Sequence, residues 1–325
     1  GSVARFCLGG AESVAKLSQQ LHDGTYKPRK VTTFRIMSPK PRTITSTPFR
    51  DRVFQRSLND NVLYPLVVRS LIYDNCACQE GKGTDFARNR LKCHLQRHYR
   101  KHGLDGYVLQ LDVKGYYPNM QHHVGEAVFD CTPSWARQMA VSVLRSQYAG
   151  DVGYNPGSQM VQIVGIAALN GIDHRIKERL RIRGYVRYMD DMLLVHPDRA
   201  YLQACLEDID AQLAAIGMQV HRGKTRIRRI RDTITFLGFD FRLTETGKVL
   251  MTVRPESVKR MRRRVKRLAR LESMGARPPG TALQAYEGWR AHADKGDSRL
   301  LIERCDRWFA SVRKEMSDGG NRRCA

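Results

Sequence analysis

Acidic side chains are scarce in this 325-residue chain: 32 Asp and Glu stand against 56 Lys and Arg, a formal charge of +24 with a pI near 10.1. That imbalance makes a polyanion the first expected partner. Cysteine is sparse as well. Eight cysteines with no C-x-x-C pair are too few for a disulfide framework, and the chain does not open on a secretory signal pattern, so a reducing, cytoplasmic setting is expected. Cys76-x-Cys78 with Cys93-His94 falls outside the usual zinc-ligand spacing, and buried thiols are the expectation there. Long apolar runs are missing. The longest, residues 160–169, is interrupted by Gln162 and Gly165 and falls short of the ~20 residues a membrane-spanning helix needs, so no membrane partner is expected. Internal repeats and low-complexity tracts are also absent. What is there is a globular chain, 42% hydrophobic, of a length that suits about two domains or one large subdivided one.

Basic charge is densest in residues 254–270, where nine Lys and Arg face a single Glu256. Val258, Met261, Val265, Leu268 and Leu271 recur there at spacings of three or four, which predicts an amphipathic helix with a basic outer face. Nine like charges repel one another unless a polyanion neutralises them. Lys259, Arg260, Arg263, Arg264 and Arg267 are therefore candidates to contact nucleic-acid phosphates. Pro278-Pro279-Gly280 ends that stretch, and residues 286–309 read as a second helix, giving a small helical domain at the end of the chain. Upstream, residues 34–36 and 42–44 flank Pro39-Lys40-Pro41-Arg42 as a hairpin, and residues 51–70 have helical spacing. Tyr107-Val108-Leu109-Gln110-Leu111-Asp112 alternates as a strand. Residues 184–187 and 192–196 read as two strands around a turn, and residues 158–180 as a helix between the strand groups. A further helix at residues 202–216 is closed by Gly217. This order describes an α+β sheet with helices on one face.

Three carboxylates carry the chemistry. Asp112 ends one predicted strand, and Asp190 and Asp191 sit together on the predicted turn. On its own an Asp-Asp pair reads as a polar turn. Three converging negative charges, however, repel unless divalent cations lie between them. Oxygen-only ligation suits Mg²⁺, and two such ions about 3.5–4 Å apart can activate a 3′-hydroxyl and stabilise a leaving pyrophosphate.

Tyr188-Met189-Asp190-Asp191, flanked by apolar strands, resembles the signature turn of reverse transcriptases. Leu111-Asp112-Val113-Lys114-Gly115-Tyr116-Tyr117-Pro118-Asn119-Met120 resembles their first catalytic motif. The resemblance implies that Asp112, the backbone carbonyl of Val113, Asp190 and Asp191 hold two Mg²⁺, with Mn²⁺ able to substitute. It also implies that Tyr117 gates against a nucleotide 2′-hydroxyl, which a flat aromatic can exclude sterically. Residues 34–55, with Pro39-Lys40-Pro41-Arg42 and Asp51-Arg52-Val53-Phe54-Gln55, resemble the fingers segment of bacterial reverse transcriptases. Lys40, Arg42 and Arg52 would meet the incoming triphosphate, Arg as a bidentate fork and Lys as a point charge. Gly81-Lys82-Gly83-Thr84 resembles a loop of the same family. Residues 217–225 resemble the motif whose lysine approaches the pyrophosphate, which implies Lys224 as proton donor or electrostatic stabiliser. Phe236-Leu237-Gly238-Phe239-Asp240-Phe241 resembles the hairpin that grips the primer, and the basic helix follows where the family has its thumb.

Residues 155–162 depart from most reverse transcriptases, which have a Gln-Gly pair and a downstream Ser-Pro. Retroelements that diversify genes carry Gly-x-x-x-Ser-Gln, matched here at Gly157 and Gln162 but with Val161 in place of Ser. The resemblance implies that Gly157 and Gln162 shape the nucleotide and template pocket. Bacterial abortive-infection and other defence reverse transcriptases diverge at the same spot, and the Val-Thr-Gly thumb motif of retron enzymes is absent. Taken together the resemblance implies a right-hand polymerase: fingers over residues 1–106, palm over 107–120, a fingers–palm connection over 121–160, palm again over 161–245 and a helical thumb over 246–325. The implied activity is that of an RNA-directed DNA polymerase using deoxynucleoside triphosphates, a structured noncoding RNA template and a DNA product or primer. An accessory protein or a second copy of the chain is a further candidate partner. Phage defence is the expected role and a diversity-generating retroelement the alternative. A catalytically silent RNA-binding palm would lack a metal carboxylate, and an RNA-dependent RNA polymerase would carry Gly-Asp-Asp at the turn. Here all three carboxylates are present and the turn reads Tyr188-Met189-Asp190-Asp191.

Overall fold

In the computed structural model, which describes residues 2–37 and 41–321, the chain divides into two units: residues 1–94 with 106–228, and residues 95–105 with 229–325. The first unit opens with helices Ser2–Leu8 and Gly10–His22, ahead of a hairpin of β1 (Thr32–Ile36) and β2 (Arg42–Ser46) in which Ile36 pairs with Arg42. Ser38, Pro39 and Lys40 of its loop, and with them the triphosphate contact expected of Lys40, lie outside the described residues. The helix expected over residues 51–70 is interrupted. Phe49–Leu58 runs into a π-helical turn at Asn59–Leu63 before Tyr64–Val67 and the 3₁₀ turn Val68–Ser70. Pro65 has no N–H to give an α-helical ladder, and the wide turn just before it absorbs the missing bond.

The centre of this unit is a four-stranded sheet in the order β4-β5-β3-β6, formed by β3 (Tyr107–Asp112), β4 (Gly184–Tyr188), β5 (Asp191–His196) and β6 (Arg226–Arg229). Leu109 pairs with Leu194 and Leu111 with Met192, while Tyr185 lies opposite Leu194. Side chains alternate across a strand, so these residues share one face. They join a core with Phe54, Leu58, Met160, Val164, Ile172, Leu202, Ile209 and Leu213 from the surrounding helices. Val108, Val186, Leu193 and Val195 point the other way and are buried too. Both faces are therefore covered, where the sequence pattern predicts helices on one.

The helix expected over residues 158–180 is three pieces: Gln159–Ala167, Asn170–His174 and a π-helical turn at Arg175–Arg179. Ser158 caps the first by accepting from the Val161 N–H at 3.3 Å. Helix Arg199–Ala215 is capped in the same way by Asp198, and Gly217 follows its end at φ +72°, as expected.

In the second unit β7 (Ile234–Phe236), β8 (Phe239–Leu243) and β9 (Val249–Val253) form an antiparallel sheet in that order. Leu237 and Gly238 both have positive φ and close a two-residue hairpin loop. Helix Pro255–Ser273 turns Met261, Val265, Leu268 and Ala269 inward, as its periodicity predicts. The single helix expected over residues 286–309 is two, Thr281–Ala293 and Arg299–Asn321. The break is made by β9: the Asp297 N–H donates to the Met251 carbonyl at 2.6 Å, the Asp297 carboxylate accepts from the Met251 N–H at 2.8 Å, and the Ser298 hydroxyl oxygen accepts from the Val253 N–H at 3.1 Å. Tyr286 and Phe309, one from each helix, stack at 4.3 Å between centroids. Among the described residues no helix is long and apolar enough to cross a membrane.

Candidate active site

Register brings the carboxylates together. Asp112, the last residue of β3, lies directly opposite Asp191, the first of β5, and Asp191 lies opposite Tyr188 on β4. Only Met189 and Asp190 remain to close the hairpin. Met189 has φ +54°, at a turn position that normally takes glycine and strains a side chain bearing a Cβ. The Arg187 Nη1 donates to the Met189 carbonyl at 2.9 Å and holds the turn from behind.

The carboxylates feel one another. Burial, then the charges of Asp190 and Asp112, push Asp191 up to about 6, and burial with Asp112 raises Asp190 as well. Two cations oppose this. Arg42, at the start of β2, favours ionised Asp190, and Lys224 favours both aspartates. The Lys224 ammonium donates to the two oxygens of Asp112 at 2.9 and 2.8 Å. The loop that carries it is tied to the same strand: the His221 N–H donates to the Asp112 carbonyl at 2.7 Å and the Lys114 N–H to the Gln219 carbonyl at 2.8 Å. These two bonds flank the Val113–Val220 bridge and leave the Val113 carbonyl out of it.

Among the described residues no three His, Cys, Asp or Glu side chains stand ready as a metal cluster; Lys224 holds both oxygens of Asp112. The donor set still fits a hard divalent cation. It is all oxygen, it carries more negative charge than burial favours, and a cation already stands against it.

Tyr117 lies beside the turn, its hydroxyl 3.8 Å from Met189 Sδ. Burial pushes its phenol upward. Gly165 faces it: a Cβ there would come within 2.3 Å of the Tyr117 hydroxyl, and the Gly165 carbonyl accepts from the Tyr116 hydroxyl at 2.5 Å. The β1–β2 hairpin is held separately by the Thr45 N–H, which donates to the Pro156 carbonyl at 3.2 Å. Gly157, at φ +142°, passes so close that a Cβ would lie 2.2 Å from the Thr45 carbonyl oxygen. Arg52 is exposed over the Phe49 ring and lines an open groove of about 420 Å³ with Gly157, Arg56 and Gln159. Gln162 is exposed in an adjoining groove with Arg56, Asn59, Cys78 and Gln159. Gly157 and Gln162 thus lie in neighbouring grooves that share Arg56 and Gln159. In the second unit Lys259, Arg260, Arg263, Arg264 and Arg267 are all exposed on helix Pro255–Ser273, opposite its packed stripe. Cys76 is buried and Cys93 half-buried, as expected of thiols there, whereas Cys78 is exposed.

Sequence reasoning missed what lies behind the turn. Arg187 and Asp173 are fully buried and paired, with the Arg187 Nη2 2.6 Å from Asp173 Oδ2. The signal available was an arginine in the middle of an apolar strand and an aspartate on an apolar helix stripe. Asp74 was missed as well. Although burial works against it, hydrogen bonds from His94, Arg90 and Lys177 hold its carboxyl well below the usual range.

Residues 28–241 match the reverse transcriptase (RNA-dependent DNA polymerase) family. Among solved structures the chain is similar to telomerase from Candida albicans in complex with a TWJ fragment of telomeric RNA, with a TM-score of 0.52 and 14% identity over 81% of this chain and 55% of that one. It is also similar to apo telomerase from Candida tropicalis, with a TM-score of 0.54 and 13% identity over 74% of this chain and 52% of that one. The chain thus spans about half the length of these telomerase chains, and at such identities the likeness is one of fold, the right-hand polymerase. No curated protein sequence matches it.

Proposed function

The chain belongs to the reverse transcriptase family of RNA-dependent DNA polymerases, and from that premise we propose that it copies a structured noncoding RNA into DNA at Asp112, Asp190 and Asp191. The observation that carries this reading is the in-register pairing of Asp112 with Asp191 beside the Met189-Asp190 turn. Asp112, Asp190, Asp191 and the Val113 carbonyl would hold two Mg²⁺, or Mn²⁺ in their place. When bound, such ions activate a primer 3′-hydroxyl and offset charge on the leaving pyrophosphate.

The chain's own residues do the rest. Lys224 keeps an ammonium at Asp112, where it can give a proton to the leaving pyrophosphate or neutralise it. Arg42, with Lys40 and Arg52, binds the triphosphate. Tyr117, backed by Gly165, presents a flat wall to the sugar and excludes a 2′-hydroxyl. Gly157 and Gln162 shape the grooves where the template base and nucleotide meet. The exposed cations of helix Pro255–Ser273 hold template–primer phosphates without reading sequence. In this reading the fingers, palm and thumb follow the boundaries given above, and the enzyme works in the cytoplasm, with an accessory protein or a second copy as further partner.

Phage defence is the role we favour. Val161, where gene-diversifying retroelements carry Ser, is buried in the core and leaves no hydroxyl beside Gln162. Gly157 and Gln162 support the diversifying role as the second reading. A silent RNA-binding palm is disfavoured by the complete carboxylate set.

The test is Asp190→Asn with Asp191→Asn. DNA synthesis should vanish while RNA affinity stays, because the phosphate contacts lie elsewhere; turnover at the native rate in that double variant would sink the assignment. Tyr117→Ala should raise ribonucleotide incorporation, and unchanged sugar discrimination would reassign the gate. Sequencing the nucleic acid that accompanies the protein from its native locus should return one discrete RNA with complementary DNA, whereas heterogeneous RNA without DNA would favour the binding-only reading.

A further inference from the structure

Arg187 has a use for every nitrogen it carries. Its Nε donates to Asp173 Oδ1 at 2.8 Å and Oδ2 at 3.0 Å, and its Nη2 to Asp173 Oδ2 at 2.6 Å and to the Ile166 carbonyl at 2.7 Å. Its Nη1 donates to the Met189 carbonyl at 2.9 Å. Asp173 is completed by the Tyr185 hydroxyl at 2.6 Å, and the Ile166 carbonyl by Asn75 Nδ2 at 2.8 Å. The Arg187 backbone is fixed separately: its N–H donates to the Asp74 carbonyl at 3.0 Å and its carbonyl accepts from the Cys76 N–H at 2.9 Å.

Besides the Asp173 carboxylate, the guanidinium therefore touches two carbonyls at once. One is the carbonyl of Met189, a residue held at φ +54° in the turn between the paired strands. The other is the carbonyl of Ile166, next to Gly165, against which both Tyr116 and Tyr117 rest. A planar fork fixed by a buried carboxylate sets the spacing between these groups, which a lone ammonium could not do. We infer that the Arg187–Asp173 pair is a positioning device that fixes the Met189-Asp190 turn against Tyr117, and so sets both the rate of nucleotide transfer and the selection against a 2′-hydroxyl.

This inference rests on the polymerase reading, deepens it, and can fail independently of it. The experiment compares Arg187→Lys and Asp173→Asn with the wild type. It measures single-turnover incorporation, the preference for deoxy- over ribonucleotides and RNA affinity, with RNA present to favour the folded state. Misplacing reacting groups by about 1 Å costs on the order of 100-fold in rate, so incorporation per folded molecule should fall by about that factor. Deoxynucleotide preference should fall with it while RNA affinity holds. Folded variants with native rate and native selectivity would overturn the inference. If neither single variant folds, Arg187→Met with Asp173→Leu and Tyr185→Phe replaces the network by apolar groups, an exchange that buried ion pairs often tolerate. That triple variant should fold and remain slow and less selective. Native rate in it, or failure of all three to fold, would reduce the pair to a structural role and overturn the inference. Asp190→Asn with Asp191→Asn, run alongside, separates the two failures: native synthesis there removes the polymerase reading, whereas unchanged rates confined to the Arg187 and Asp173 variants remove this inference alone.

Discussion

The sheet of the first unit carries a cation–carboxylate pair on each face. Arg187 on β4 shares the core face with Tyr185 and Met192, and its pair with Asp173 leaves both side chains with no exposure at all. Asp112 on β3 points to the opposite face, and its partner Lys224 is 53% exposed. The chemical elements are the same and the consequences differ. A pair buried on one side cannot be opened without stranding a charge in the core. The pair with the exposed lysine gains little from its contact and can be exchanged for another cation or an anionic substrate group. One pair is locked into the core, and the other stays open to exchange.

That contrast can be broken or sharpened in order of effect on stability. Asp173→Ala strands the Arg187 guanidinium and should remove about 3–5 kcal/mol, read as a fall in the urea midpoint with an unchanged slope. A loss below about 1 kcal/mol would mean that water reaches the site and that the two faces are alike. Gly157→Ala meets the Thr45 carbonyl at 2.2 Å and should cost roughly 1–3 kcal/mol, with weakened triphosphate use as the hairpin bearing Arg42 shifts. Lys224→Met should move stability by less than about 1 kcal/mol. It should nevertheless lower incorporation by about 10²–10⁴-fold, the range for removal of a general acid. A large melting shift with native rate would invert the contrast. Smallest in stability is Arg263→Gln with Arg267→Gln on the exposed face of helix Pro255–Ser273. Melting should not move, while the slope of log affinity for RNA–DNA against log salt should fall by about 0.7–0.9 for each phosphate that is no longer neutralised. An unchanged slope would take that helix off the nucleic acid.

Much of this was readable from the sequence because it is local. β3 lies where alternation predicts it, β4 and β5 lie within a residue of the strands expected around the turn, and helix Pro255–Ser273 packs the apolar stripe its spacing predicts. The errors have tertiary causes. Residues 286–309 keep a helical rhythm, but Asp297 and Ser298 bond to the edge of β9, and those bonds outweigh one more turn of helix. The buried second face of the sheet was equally hidden, since Val108 and Leu193 alternate with residues that are themselves buried. Arg187 and Asp173 were visible as charges in apolar surroundings, but nothing in a one-dimensional pattern says that they meet.

By itself the sequence determined the chemical inventory: an aspartate at one strand end, two more on a turn, a tyrosine five residues after the first and a helix with one basic face. Those are properties of side-chain type and short spacing, which the chain carries before it folds. Only the tertiary structure decided which charges are buried, which cation each carboxylate meets and how strongly protons are held. Asp112 meets a lysine 112 residues away, and Asp191 is pushed up to about 6 by burial and by neighbours that the fold alone supplies. Desolvation and Coulomb interaction depend on distance in space, and a sequence records distance only along the chain.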